Sequence, residues 1–131
     1  MRIKESAEDY LETILVLSMS KSTVRSIDIV KKMELSKPSV SVAMKKLREN
    51  GYINMNPEGH ISLTDEGRAI AEKIYERHVF ISQWLIDLGV SSETAMADAC
   101  RIEHVLSDES FAAIKNRYSG SRCKDCPARN F

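Results

Sequence analysis

The sequence predicts a mainly α protein, an N-terminal winged helix-turn-helix with a two-stranded wing followed by a helical dimerisation domain. Three observations predict it. Two short helical patterns joined by a tight turn fill residues 26–50, and the second is polar and basic. A strand–turn–strand pattern, YINMNPEGHISLT, follows at once. Beyond it lie further helical segments whose apolar faces exceed what a lone helical hairpin can hide. The expected division is 1–72 for the DNA-binding fold, 73–118 for the helical domain and 119–131 for a polar, flexible tail.

Residues 6–19 read as an amphipathic helix, with Ser6 as N-cap, Asp9 three residues on, and Tyr10, Ile14 and Leu17 at helical spacing. Ser26 is the expected cap of the next helix, with Ile27, Val30 and Leu35 as its apolar positions. Ser36 then caps a helix that tolerates Pro38 in its first turn and stops at Gly51. Val40, Met44 and Leu47 form its apolar stripe, which leaves Ser39, Ser41, Lys45, Lys46 and Arg48 off that stripe. The wing pairs Tyr52, Ile53 and Met55 with Ile61 and Leu63 across the Asn-Pro-Glu-Gly turn at 56–59.

Thr64 caps a long helix over roughly 65–88, with Ala69, Ile70, Ile74, Val79, Phe80, Leu85 and Leu88 apolar and Gly89 at its end. Another helix covers 93–106, with Met96, Cys100, Val105 and Leu106, and Ser107 starts a last one with Phe111, Ile114 and Tyr118 spaced for burial. A second copy of the chain is the expected cover for these faces.

The chain has 131 residues, 43% of them hydrophobic and 29% charged, as in a soluble globular protein. It holds no uninterrupted apolar run of the roughly 18 residues that a membrane helix needs. Its first residues carry acids where a signal peptide needs an apolar stretch, so a cytoplasmic location with no membrane partner is expected. Three cysteines are too few for a disulfide framework. The formal net charge of zero hides an asymmetry: residues 21–50 hold eight Lys/Arg against three Asp/Glu, while residues 65–118 hold six against ten. A basic segment in a neutral chain points to a local anionic partner, although a solvated Lys-rich helix face gives the same pattern.

Cys100, Glu103 and His104 are three and four apart, so a helix places a thiol, a carboxylate and an imidazole on one face. By themselves they also fit a solvated Glu-His face beside a buried thiol. Asp9 and Glu12 likewise share a helical face. His78, beside Val79 and Phe80, reads equally as a ligand or as a satisfied core histidine.

Five segments in fixed order resolve these alternatives: AEDYLETI at 7–14, SKPSVSVAMKKLRENGYI at 36–53, LTDEGRAIA at 63–71, ERHVFISQWL at 76–85 and ACRIEHVLSDE at 99–109. Through them the chain resembles the diphtheria-toxin-repressor and manganese-transport-regulator family of metal-dependent repressors over about residues 5–118. The resemblance implies a metal-dependent transcriptional repressor that controls metal-homeostasis genes and is not an enzyme. It implies a divalent-metal site built from Asp9, Glu12, His78, Cys100, Glu103 and His104. Such a mixed oxygen, nitrogen and sulfur set suits Mn, Fe, Co or Ni better than Ca or Mg. Asp9 and Glu12 resemble the manganese branch and Cys100 the iron branch. A thiolate favours later or more thiophilic metals, so Fe(II) is expected first, Mn(II) close behind, and Co(II), Ni(II) or Zn(II) as further candidates. The ancillary site of the iron branch maps to Ser82 and Met96, poor ligands, and the SH3-like domain of that branch is expected to be absent.

In a winged helix the second helix enters the major groove while wing and helix N-termini meet phosphates. Ser36, Lys37, Pro38, Ser39 and Ser41 are therefore the expected base and phosphate contacts, with Lys45, Lys46 and Arg48 as phosphate clamps and Asn56 and His60 on the wing. Val42 stands where some relatives have glutamine, so base readout is expected to differ here. A homodimer would read a palindromic operator. Two other readings predict different chemistry: a winged-helix regulator with no metal signal, and a dimetal hydrolase, for which the chain offers no nucleophile or phosphate loop. Cys123 and Cys126 form a Cys-x-x-Cys that supplies two of the four ligands a structural zinc needs and lacks the βαβ setting of a redox pair.

Overall fold

In a computed structural model, which describes residues 5–119, the chain is six helices and one two-stranded antiparallel sheet: α1 (Glu5–Ser20), α2 (Ser26–Met33), α3 (Lys37–Glu49), β1 (Ile53–Met55), β2 (Ile61–Leu63), α4 (Asp65–Asp87), α5 (Ser92–Ile102) and α6 (Asp108–Ser119). It forms two compact units that divide between Ile74 and Tyr75. No described helix is long and apolar enough to cross a membrane. Cys123 and Cys126 lie outside the described residues.

The first unit is a winged helix. α1 packs on α2, α3 and β2, and buries Leu11, Ile14, Leu15 and Leu17. The α1 pattern therefore extends to Leu11 and Leu15, whereas Tyr10 is only half-buried. Ser6 falls inside α1 and does not cap it. α2 is capped at Arg25, not Ser26: the Asp28 carboxylate accepts from the Arg25 backbone N–H at 2.9 Å. An aspartate three residues along reaches back to the first orphan donor, which fixes the start one residue early. The buried residue of α2 is Ile29, while Ile27 and Leu35 are exposed. On so short a helix the neighbouring elements select the inward face, and the spacing of branched residues did not reveal it.

α3 starts as expected. The Ser36 Oγ accepts from the Ser39 N–H, Pro38 sits in the first turn, and Gly51 follows the Asn50 C-cap at φ +80°. Val40, Met44 and Leu47 are its buried stripe. The wing pairs Ile53 with Leu63, Asn54 with Ser62 and Met55 with Ile61. Ile61 also bridges to Val24, so the loop before α2 adds a third short edge that the sequence did not show. The hairpin is tied to the start of α4: Thr64 Oγ1 donates to Gly51 O at 2.7 Å and accepts from Gly67 N–H, and Thr64 N–H donates to Tyr52 O.

The second unit has its own core of Phe80, Ile81, Ala99 and Phe111, with Trp84, Leu85, Ile102, Leu106 and Ile114 packed around it. Phe80 meets Phe111 edge-on with ring centroids 5.7 Å apart. Small Ala95 and Ala99 face inward on α5, whereas Met96 and Val105, expected as apolar positions, are exposed. Ala69 on α4 and Leu88 just past its end are exposed too, and Ala71 and Ile81 take the buried places. α5 is capped by Ser91, whose Oγ accepts from Thr94 N–H. It ends at Ile102, not 106, and in the turn that follows the carbonyls of Glu103 and Leu106 accept from the Arg77 guanidinium. Ser107 then caps α6 through Ser110 N–H.

Candidate functional site

The second unit concentrates ligand chemistry in a place where apolar packing would be expected. Glu103 is fully buried and His104 is 8% exposed. His78 comes from the middle of α4, Cys100 from the last turn of α5 and Glu103 from its C-cap. His78 Nδ1 lies 2.9 Å from Glu103 Oε2 and 3.9 Å from Cys100 Sγ. The three donor atoms lie within 4.8 Å of one another. On the other side of the carboxylate, His104 Nε2 is 3.4 Å from Glu103 Oε1. Because α5 ends at Ile102, Glu103 and His104 stand on the turn after the helix, yet Glu103 keeps helical backbone angles and so stays on the side of Cys100.

The electrostatics match a cation site. Burying a carboxylate is costly unless charge or hydrogen bonds compensate it. Among the described residues Glu103 Oε1 accepts no hydrogen bond and faces the His104 ring, so this oxygen can take a stronger partner. The Cys100 sulfur and then the Glu103 carboxylate hold the His78 imidazole's pKa up at about 10, well above its ordinary value. A proton on His78 therefore stands where a metal's positive charge would. Metal bonds of about 2.0–2.3 Å to nitrogen, oxygen and sulfur place neighbouring ligands roughly 3–4 Å apart. The 2.9 and 3.9 Å separations fit that spacing. The donor set fits a divalent transition metal.

Arg77, also buried, lies beside His78 in sequence and bonds the turn that carries Glu103 and His104. Sequence reasoning missed it. Its only signal was its place in ERHVFISQWL, next to a candidate ligand.

In the first unit, Asp9 and Glu12 both lie half-buried on α1. Ser82 turns its hydroxyl back to Val79 O at 3.1 Å, and Met96 is exposed. The N-cap Ser36 and, on α3, Lys37, Pro38, Ser39, Ser41, Lys45, Lys46 and Arg48 are all exposed, off the buried stripe of Val40, Met44 and Leu47. Val42 joins them, 55% exposed in the middle of this polar, basic surface. Asn56 and His60 are engaged with each other. Asn56 Oδ1 accepts from His60 N–H at 2.8 Å, and His60 Nε2 lies 3.0 Å from an Arg25 Nη2 that the sequence reading had not singled out.

Comparison with known proteins places both units. The family model described as iron dependent repressor, N-terminal DNA binding domain, matches residues 2–61. The one described as iron dependent repressor, metal binding and dimerisation domain, matches residues 64–130. The chain belongs to the iron-dependent repressor family. Among relatives, a transcriptional regulator of Methanocaldococcus jannaschii is 35% identical over 115 residues, 86% of this chain and 92% of that protein. The transcriptional regulator MntR of Salmonella typhimurium is 36% identical over 111 residues, 85% of this chain and 71% of its own length. The iron-dependent repressor IdeR of Mycobacterium bovis is 31% identical over 106 residues, 80% of this chain and 46% of its own. Among solved structures, a manganese-dependent transcriptional repressor in complex with manganese superposes with a TM-score of 0.79 at 28% identity, over 86% of this chain and 52% of that one. This family member thus spans about half the length of such solved relatives. The family is one of DNA-binding transcriptional regulators.

Proposed function

We propose that this chain is a metal-activated repressor in which His78, Cys100, Glu103 and His104, together with Asp9 and Glu12, hold Fe(II) or Mn(II), and in which α3 reads operator DNA. The observation that carries it is the convergence of His78, Cys100 and buried Glu103 in the unit that matches the metal-binding domain. Asp9 and Glu12 are supported by the family resemblance and by their shared, half-buried face of α1. The bound ion would supply two positive charges and hard-to-intermediate coordination. His78 Nδ1 and the Glu103 carboxylate would serve as donors to the ion, with the Nδ1 proton released to solvent. Cys100 contributes as a thiolate and biases the set toward Fe(II) over Mn(II).

A ligand set drawn from both units links occupancy to the DNA-reading unit. Metal then favours the DNA-competent state by its differential affinity for two conformations. On α3, Ser36, Lys37, Pro38, Ser39 and Ser41 contact bases and phosphates, Lys45, Lys46 and Arg48 clamp phosphates, and Asn56 and His60 sit on the wing. Exposure of all eight α3 residues on one polar surface supports this reading. Two copies reading a palindrome match the dimerisation domain of the family. The protein works as a cytoplasmic regulator of metal-homeostasis genes and catalyses no reaction.

The test is a gel-shift titration on a duplex recovered by selection from random sequence, with Mn(II), Fe(II), Co(II) and Zn(II) added without oxygen. Wild-type protein is expected to bind only with metal, and Glu103→Ala and His104→Ala to lose this metal-activated binding. DNA binding indifferent to metal and to both substitutions overturns the proposal in favour of a regulator without a metal signal.

A further inference from the structure

We infer that Arg77 is a positioning residue for the metal ligands, the group that shapes the turn carrying Glu103 and His104. The inference rests on the metal-binding reading above. Its guanidinium is 4% exposed and spans the turn: one terminal nitrogen donates to Glu103 O at 3.1 Å and to Leu106 O at 2.5 Å. The other donates to the Asp108 carboxylate at 2.6 Å, in the first turn of α6. The group also lies 5.2 Å over the Phe111 ring.

These contacts have one common effect. α5 stops at Ile102 and α6 begins at Asp108, so the intervening residues have no continuous helical ladder to hold them. Arg77 grips that stretch at both ends, by the carbonyl of the ligand Glu103 itself and by the carbonyl two residues past His104. A rigid planar fork can bridge two carbonyls and a carboxylate at once, which an ammonium cannot. His78 follows Arg77 directly on α4, so one turn of that helix carries a ligand and also sets where its partners stand. Glu103 lies fully buried with Oε2 facing His78 and Oε1 facing His104, an arrangement that follows from where its backbone stands. The Arg77 bonds to the turn hold that backbone in place.

The test is an anaerobic Co(II) titration of the full chain, read by visible absorption, on wild type, Arg77→Lys, Arg77→Met and Ile114→Ala. The last is a control that weakens the same core away from the turn. Arg77→Met is expected to lower Co(II) affinity about 10–100-fold and to change the ligand-field spectrum, as loss of groups that orient ligands does. Arg77→Lys is expected to fall between wild type and Arg77→Met in both readouts, and it carries the test alone if Arg77→Met does not fold. Ile114→Ala is expected to melt lower while keeping the wild-type spectrum and affinity. Wild-type affinity and spectrum in Arg77→Lys or Arg77→Met refute the inference, as does an equal loss in Ile114→Ala. A wild-type chain that takes up no Co(II) instead overturns the metal-binding reading itself.

Discussion

Replacing Gly67 by alanine sets two physical arguments against each other. Gly67 lies in the first turns of α4, where helix propensity alone predicts that alanine stabilises the helix by about 0.5–1 kcal/mol. The packing predicts the opposite. A Cβ built on Gly67 would stand 2.0 Å from Tyr52 O, 2.9 Å from Tyr52 C and 3.3 Å from its Cα. Ordinary contact begins at 3.4 Å, so the carbonyl oxygen must retreat by roughly 1.4 Å.

It has no free direction in which to retreat. Tyr52 O accepts from Thr64 N–H at 3.1 Å, Tyr52 N–H donates to Leu47 O at 2.9 Å, and Thr64 Oγ1 holds Gly51 O at 2.7 Å. Overpacking costs about 1–3 kcal/mol, and the loss of one or two backbone bonds adds about 1 kcal/mol each. Gly67→Ala is therefore expected to lose about 3 kcal/mol, a drop in Tm on the order of 10 °C for a domain of this size. Urea and thermal melts of metal-free protein at one fixed concentration measure it. A neutral or stabilising result would mean that the wing and α4 yield freely, which would refute the account of how the hairpin is anchored.

Other expectations follow from single residues. The His78 imidazole, whose pKa is held at about 10 by the Cys100 sulfur and the Glu103 carboxylate, carries a proton at neutral pH that metal must displace. Calorimetric titrations in buffers of different ionisation enthalpy should therefore show at least one proton released per ion at pH 7, that of His78 together with any thiol proton Cys100 gives up as it becomes a thiolate, and metal affinity should weaken as pH falls. Because this pKa is raised on folding, its contribution to metal-free stability is complete below the ordinary 6.5 and fades as pH rises through about 10, which melts across that window would show. Lys45→Ala and Lys46→Ala should weaken binding to all duplexes alike and each reduce the salt slope of binding by about one, measured by anisotropy at several salt concentrations. Ser36→Ala removes the oxygen that accepts from Ser39 N–H and should destabilise by about 1 kcal/mol in the same urea melts.

The sequence was most legible where chemistry is local. Ser36, Pro38 and Gly51 bound α3 because a cap hydroxyl, a ring without a donor and a left-handed glycine act within one turn. The Asn-Pro-Glu-Gly turn set the wing in the same way, with Gly59 at φ +83°. The stripe of Val40, Met44 and Leu47 was readable because α3 is long enough for its periodicity to be unambiguous. On the eight-residue α2 the choice between Ile27 and Ile29 was not, since both are branched and apolar and only the surrounding helices select one. Met96, Leu88 and Val105 are apolar yet exposed in the single chain, where a second copy is the expected cover: hydrophobicity marks a residue that gains from burial but does not show which neighbour covers it.

By itself the sequence determined the bounds of α3, the wing and a set of candidate ligands, because caps, turns and ligand chemistry are properties of residues and short spacings. Only the tertiary structure decided how those ligands meet. Cys100 and Glu103 come from the end of one helix and His78 from another, 22 residues earlier than Cys100 in the chain, and no local rule fixes the 2.9 Å between His78 and Glu103. That distance depends on where the turn after Ile102 stands, and this turn is bonded by Arg77, whose donors reach the Glu103 carbonyl across 26 positions of sequence. A turn bonded by a remote guanidinium leaves no local pattern, so it becomes visible only when the chain is folded.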